Sequence, residues 1–172
     1  AREWQGLQRL CRMSTFLRAL LAFPLACGSA EIEGKGLRQL ALFSWRSRLT
    51  FTLEETIHQY PRGIDPEASI WMWNRLLEQL SELHSLGWCH RQIRLEHLLV
   101  DPQNHGLALC GWSQSGPGQG QIDLVQSGQC IAALLGSRAP RQLRQLALDA
   151  GNYSQAKSLQ AELGRLARQL FG

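Results

Sequence analysis

Lysine is nearly absent from this chain, and its positive charge is dispersed. Only Lys35 and Lys157 accompany the arginines, which are spread along the sequence without forming a run. The formal net charge at pH 7 is a modest +4. A nucleic-acid footprint normally needs a clustered basic face, so the sequence favours a solvated surface over an arginine-bearing nucleic-acid binder.

Long apolar runs are also missing. The most apolar stretch, residues 16–27, is shorter than the roughly 18 to 20 residues that span a bilayer, and its polar surroundings do not suit a signal peptide. We therefore expect no membrane association. The hydrophobic content of 44% over 172 residues is nevertheless enough for one buried core, which predicts a folded domain.

The five cysteines form neither an even set nor a C-x-x-C pair. This pattern indicates reduced thiols in a cytoplasmic protein. A zinc site built from Cys89, His90, His97 and Cys110 is an alternative. We disfavour it because adjacent Cys89 and His90 are expected to point apart and the spacing is not that of a structural zinc site.

Periodicity and capping residues predict a mainly helical chain with a few short strands. The predicted elements are a helix at 3–21 with a break near Ser14, strands at 25–32 and 37–45, a short helix opened by Thr52, a long helix between Asp65 and Gly87, strands near 98–100 and 107–109, and helices at 123–136, 140–150 and 154–171. Gly34 and Gly36 flank Lys35 between the first two strands. A hairpin turn is favoured there over a phosphate loop, since no helix follows.

Residues 83–113 carry the most specific pattern: a helix end, a polar loop, a strand, a tight turn and a second strand. The loop reads His90, Arg91, Gln92, Ile93, Arg94, Leu95, Glu96 and His97. This stretch resembles the catalytic loop of the protein kinase family, His-Arg-Asp-x-Lys-x-x-Asn followed by an aliphatic strand, and aligns with it without a gap.

The resemblance implies that the loop keeps the backbone arrangement of a kinase catalytic loop but lacks the side chains that take part in the reaction. Kinases place an aspartate at the position of Gln92, to accept the substrate proton, and an asparagine at the position of His97, to help hold magnesium. Gln92 has no titratable acceptor, and His97 offers nitrogen where magnesium prefers oxygen. Arg94 keeps the positive charge of the kinase lysine, while His90 and Arg91 match the family.

The kinase metal-binding triplet, Asp-Phe-Gly, aligns best with Gly111, Trp112 and Ser113 if the preceding turn holds one extra residue. Two other registers, residues 110–112 and 109–111, stay open. None of them supplies a carboxylate, because no Asp or Glu lies between Asp101 and Asp123. The resemblance therefore implies the loss of a metal ligand as well as of the base, which argues against a simple kinase mechanism.

The same resemblance implies an architecture. Asp123 aligns with the aspartate that holds the catalytic loop backbone, and Glu3 with the helix glutamate that pairs with a strand lysine. A first-turn glutamate favoured by the helix dipole is the alternative for Glu3. Residues 44–48 align with the hinge. The kinase elements that precede this helix would fall before Ala1, so we expect a truncated small lobe.

The predicted fold class is thus α+β and mainly helical. Residues 1–48 are expected to form a small-lobe remnant of one helix and a β-hairpin, and residues 49–172 a kinase-like large lobe.

These expectations favour a catalytically inactive pseudokinase domain that acts as a protein-interaction or regulatory module. We expect a protein partner and no bound cofactor or metal, and the oligomeric state stays open. The alternative is a serine/threonine kinase-like phosphotransferase that binds ATP with magnesium. It would be completed by another segment, or would use His90 or His97 as its base.

Overall fold

The computed structural model describes residues 2–44 and 49–172. Predicted hinge residues 45–48 lie outside the described residues. The elements in chain order are α1 (Arg2–Met13), α2 (Thr15–Leu20), β1 (Phe23–Ile32), β2 (Gly36–Ser44), β3 (Phe51–Thr52), α3 (Leu53–Gln59), α4 (Pro66–Ser85), β4 (Trp88–Cys89), β5 (Leu98–Asp101), β6 (Gly106–Leu109), β7 (Gly116–Pro117), α5 (Gln121–Leu134), α6 (Arg141–Leu148) and α7 (Ala156–Phe171). Short 3₁₀ turns occupy Leu95–His97, Trp112–Gln114 and Asp149–Asn152.

The predicted break in the first helix is confirmed at Ser14. Its hydroxyl accepts a hydrogen bond from the N–H of Leu17 at 3.1 Å, which caps α2. The same hydroxyl donates to Glu82 of α4 at 2.6 Å. This contact joins the start of α2 to the long helix of the core, while Leu10 and Leu17 are buried in that core.

Strands β1 and β2 form the predicted antiparallel hairpin, with a bulge between Pro24 and Ala26. In its turn, Gly34 and Gly36 adopt positive φ angles of 70° and 68°. Residues with a Cβ disfavour such angles. Among the residues that the structure describes, the two strands pair only with each other, and they are mostly exposed. Leu42 of β2 is 61% exposed.

Helix α4 is the centre of the core. The Asp65 carboxylate caps it by accepting from the N–H of Glu67 at 2.8 Å, and Pro66 opens its first turn, as the sequence predicted. Gly87, with a φ of 68°, follows its end. Its buried face packs against α7, α5 and β6. The fully buried apolar members of this face are Trp73, Leu76, Leu77, Leu80 and Leu83.

Three small antiparallel sheets and seven α-helices make the described residues an α+β fold that is mainly helical. The capping box predicted for α3 is present, since Thr52 and Glu55 bond reciprocally. Helix α5 ends at Leu134 with Leu135 as its cap, one residue before the predicted Gly136. Within residues 2–44 and 49–172, no helix combines the length and apolar character that a membrane crossing requires.

Candidate functional site

Asp123 holds the backbone of the loop that follows β4. Its side chain is fully buried and accepts hydrogen bonds from the N–H of His90 at 2.8 Å and of Arg91 at 2.6 Å. The ring of His84 on α4 lies 2.9 Å from the same carboxylate. Arg91 has a φ of 67°, an uncommon conformation for a residue with a side chain. One carboxylate from α5 thus fixes two consecutive loop amides in an irregular backbone.

Gln126 supplies a second clamp that sequence reasoning missed. Its side-chain oxygen accepts from the N–H of Ile93 at 2.8 Å, and its amide donates to the carbonyl of Arg91 at 3.2 Å. Gln126 lies three residues after Asp123, so both side chains project from the same face of α5. This i, i+3 pairing of polar residues in an apolar helix was the signal that could have revealed it.

The ring of His90 is a buried, neutral group. It lies edge-on to Trp112, with ring centroids 4.6 Å apart. The pKa of His90 is lowered to about 4, mainly by burial and to a smaller extent by nearby His97. Asp123 and the Cys110 carbonyl act in the opposite direction and raise this pKa. Nε2 lies 2.9 Å from that carbonyl and Nδ1 3.3 Å from the N–H of Gln92. These partners assign the proton to Nε2.

Gly111, Trp112 and Ser113 lie directly against the loop. Trp112 is buried, and its indole N–H donates to the carbonyl of Leu109 at 3.1 Å. Its backbone N–H donates to Glu3 of α1 at 2.9 Å. Glu3 therefore ties the first helix to this turn, a specific contact beyond the helix-dipole effect. The Ser113 hydroxyl lies 3.5 Å from the side-chain oxygen of Gln92.

Gly111 lies directly against the ring of His97. Gly111 has a φ of 73°, and a Cβ built on it would lie 2.6 Å from the His97 ring. The ring is held in place because its Nδ1 lies 2.7 Å from the carbonyl of Gln92. The His97 carbonyl also accepts from the N–H of Cys110 at 2.9 Å. The imidazole therefore fills the space that any side chain at position 111 would need.

The two loop arginines serve different contacts. The Arg91 guanidinium donates to the carbonyl of Pro117, joining the loop to β7. Arg94 is exposed and pairs with Glu96, with 2.7 Å between Nε and Oε1. A surface pair of this kind contributes little to stability. Both arginine side chains are exposed, in contrast to the buried ring of His90.

Of the cysteines near the loop, Cys89 is buried and Cys110 is half-buried. Burial raises the pKa of Cys110 to about 11, with Glu3 and Glu96 acting in the same direction, and burial also raises the pKa of Cys89. Metal ligation requires the thiolate form, which these surroundings disfavour. In the described part of the chain, no three His, Cys, Asp or Glu side chains are grouped so that they could hold a metal ion.

Two clefts lie away from the loop. An apolar one of about 780 Å³ runs between α3 and α4, with Tyr60, Trp71 and Met72 in its walls. A more polar one of about 700 Å³ lies between the segments joining α3 to α4 and α5 to α6. Neither is lined by any residue from His90 to His97.

Chemically, Gln92 and His97 can form hydrogen bonds, but neither they nor Gly111 carry a carboxylate. Asp123 is fully buried, and its carboxylate accepts bonds from the loop amides and lies against His84, while Gln92 has no group that can take up a proton. A scan of the chain against protein-family models found no match.

Proposed function

We propose that this chain forms a kinase-like large lobe with a small-lobe remnant, and that it is a catalytically inactive pseudokinase domain acting as a protein-interaction or regulatory module. The order of long helix, loop, strand pair and buried helix supports this assignment. The contacts of Asp123 with the amides of His90 and Arg91 support it further, because the kinase resemblance gives this aspartate the same role.

The contact between His97 and Gly111 is the observation that carries the inactive assignment. The resemblance gives both positions to magnesium binding. Here position 111 has no side chain, and a carboxylate there would collide with the His97 ring. The ring offers nitrogen, a poor ligand for a hard cation, and its Nδ1 already faces the Gln92 carbonyl.

The phosphotransferase alternative uses His90 or His97 as its general base, and the structure gives less support to His90 than to His97. The His90 ring is fully buried, both of its nitrogens have partners in the chain, and burial lowers its pKa to about 4. It would have to leave these contacts to accept a proton from a substrate. The alternative therefore narrows to His97, whose ring is half-buried.

Thermal unfolding with ATP, with and without magnesium, tests the inactive assignment. A ligand that binds only the folded state raises the midpoint of unfolding. We expect no magnesium-dependent rise for the wild-type chain and no phosphate transfer to a generic serine or threonine peptide. A clear magnesium-dependent rise together with transfer would overturn the proposal, and loss of transfer with the rise retained in His97→Ala would identify His97 as the base.

Restoring oxygen ligands tests the kinase-like geometry. The triple variant Gln92→Asp, His97→Asn, Gly111→Asp should gain measurable magnesium affinity by calorimetry, because the smaller residue at 97 leaves room at 111. The matched control, Gln92→Asp with Gly111→Asp, keeps His97 and should bind no magnesium. A folded triple variant without affinity would contradict the alignment.

A further inference from the structure

The polar cleft between the α3–α4 segment and the α5–α6 segment is built on a close backbone crossing. The N–H of Ile64 donates to the carbonyl of Leu134 at 3.0 Å, and Ile64 pairs in parallel with Leu135. Gly63 and Gly136 meet so closely that a Cβ on either would collide with backbone of the other segment. The crossing therefore holds two segments that are distant in sequence at a fixed separation.

The crossing places two arginines on the same cleft. Arg62 immediately precedes Gly63, and Arg138 follows Gly136 by two residues; both line the cleft and both are exposed. Neither guanidinium has a hydrogen bond or ion pair with any residue that the structure describes. Arg144 differs, because it donates to the carbonyl of Gly136 at 2.8 Å and supports the crossing.

The charge of the cleft is positive. Besides the two arginines, Asp65 is the one charged residue among the described residues that line the cleft. Its Oδ1 already accepts from the N–H groups of Glu67 and Ala68 at the start of α4. The volume of about 700 Å³ exceeds what one small ion needs and lies in the range of sites for larger ligands. Guanidinium groups suit carboxylates because they can donate two parallel hydrogen bonds.

We infer that this cleft binds an acidic segment of a partner polypeptide, with its carboxylates paired to Arg62 and Arg138. The inference rests on the proposed function, since it names the partner chemistry of an interaction module. It places the docking surface on the fixed crossing instead of on the altered loop around His90 and His97.

Nuclear magnetic resonance titration with a short peptide of alternating glutamate and alanine tests this inference at low ionic strength. The largest amide shifts should fall in residues 62–65 and 135–139. The analogous glutamine–alanine peptide should leave these signals in place. Shifts spread over the surface, or equal shifts with the neutral peptide, would overturn the inference.

Matched charge variants complete the test. Arg62→Gln with Arg138→Gln should weaken peptide binding about tenfold, since both paired groups are removed. The control Arg12→Gln with Arg168→Gln removes two exposed arginines outside the cleft and should change affinity less than about twofold. Equal weakening by both pairs would indicate non-specific attraction and overturn the inference.

Two further measurements distinguish an acidic peptide from a nucleic acid as the ligand of the cleft, and distinguish a failure of this inference from a failure of the proposed function. Tighter binding of a single-stranded oligonucleotide than of the peptide at these residues would overturn the peptide assignment. Magnesium-dependent ATP binding together with phosphate transfer would refute the inactive pseudokinase while leaving a positive peptide titration intact. Failure of the titration alone would refute the cleft and leave the ATP result unaffected.

Discussion

Replacing Asp123 by alanine should destabilise the fold more than most single substitutions. The carboxylate is fully buried and accepts from the N–H groups of His90 at 2.8 Å and Arg91 at 2.6 Å. A hydrogen bond to a charged group contributes about 1.5 to 3 kcal/mol. Alanine leaves both amides without this acceptor and His84 without its partner. We expect the free energy of unfolding to fall by about 3 to 5 kcal/mol.

Urea titration followed by tryptophan fluorescence measures this loss, since the chain has six tryptophans and Trp112 lies near the loop. The matched control is Asp149→Ala. Within the described part of the chain its carboxylate bonds only to Gln145, at the surface and at 2.9 Å, and its loss should cost less than about 0.5 kcal/mol. Asp123→Asn keeps one acceptor oxygen and should fall between alanine and wild type. A loss for Asp123→Ala within about 1 kcal/mol of the control would refute the reasoning.

Three further predictions concern the buried histidine, the glycine beside His97 and the exposed hairpin. The folded-state pKa of His90 is about 4, so between pH 6.5 and pH 4 only the unfolded chain binds a proton at this residue. As the pH falls through this range, the free energy of unfolding should drop by up to about 3 kcal/mol and then level off. His90→Gln should flatten this part of the plot of unfolding free energy against pH, and an unchanged plot would contradict the assignment. Gly111→Ala should lower the free energy of unfolding by about 2 to 4 kcal/mol, through a clash with the His97 ring and through the positive φ at position 111. In a double-mutant cycle, His97→Ala should restore the stability lost to the clash but not that lost to the positive φ. Leu42 is 61% exposed, so Leu42→Ser should lower the free energy of unfolding, measured by urea titration, by less than about 0.5 kcal/mol. Leu80 is fully buried, and Leu80→Ala should lower it by about 2 to 5 kcal/mol. Equal losses would show that the hairpin is covered in solution.

Local structure could be predicted well from the sequence because its signals lie within a few residues. The cap at Asp65 and the capping box of Thr52 and Glu55 depend on backbone groups two or three positions away. The break at Ser14 belongs to the same class, since its hydroxyl meets the N–H of Leu17. The glycine turn of the hairpin follows from conformational preference alone.

The candidate site was only partly predictable, because its contacts join distant parts of the chain. The loop residues and Asp123 were identified by resemblance, yet no local signal joins Glu3 to Trp112. Gln79 likewise gives no sign in the sequence that its buried amide donates to the carbonyl of Leu107 at 2.8 Å. Such polar groups are buried because the fold supplies partners, and those partners are known only once the helices are packed.

The close approach of His97 to Gly111 constrains the order in which mutations at these positions can accumulate. A change at position 111 alone introduces a side chain into occupied space on a backbone that already disfavours one. A change to a smaller residue at position 97 meets no such obstacle. A stepwise evolutionary route toward an oxygen-lined pocket would therefore pass through position 97 first, and directed evolution from this chain should find the two replacements in that sequence.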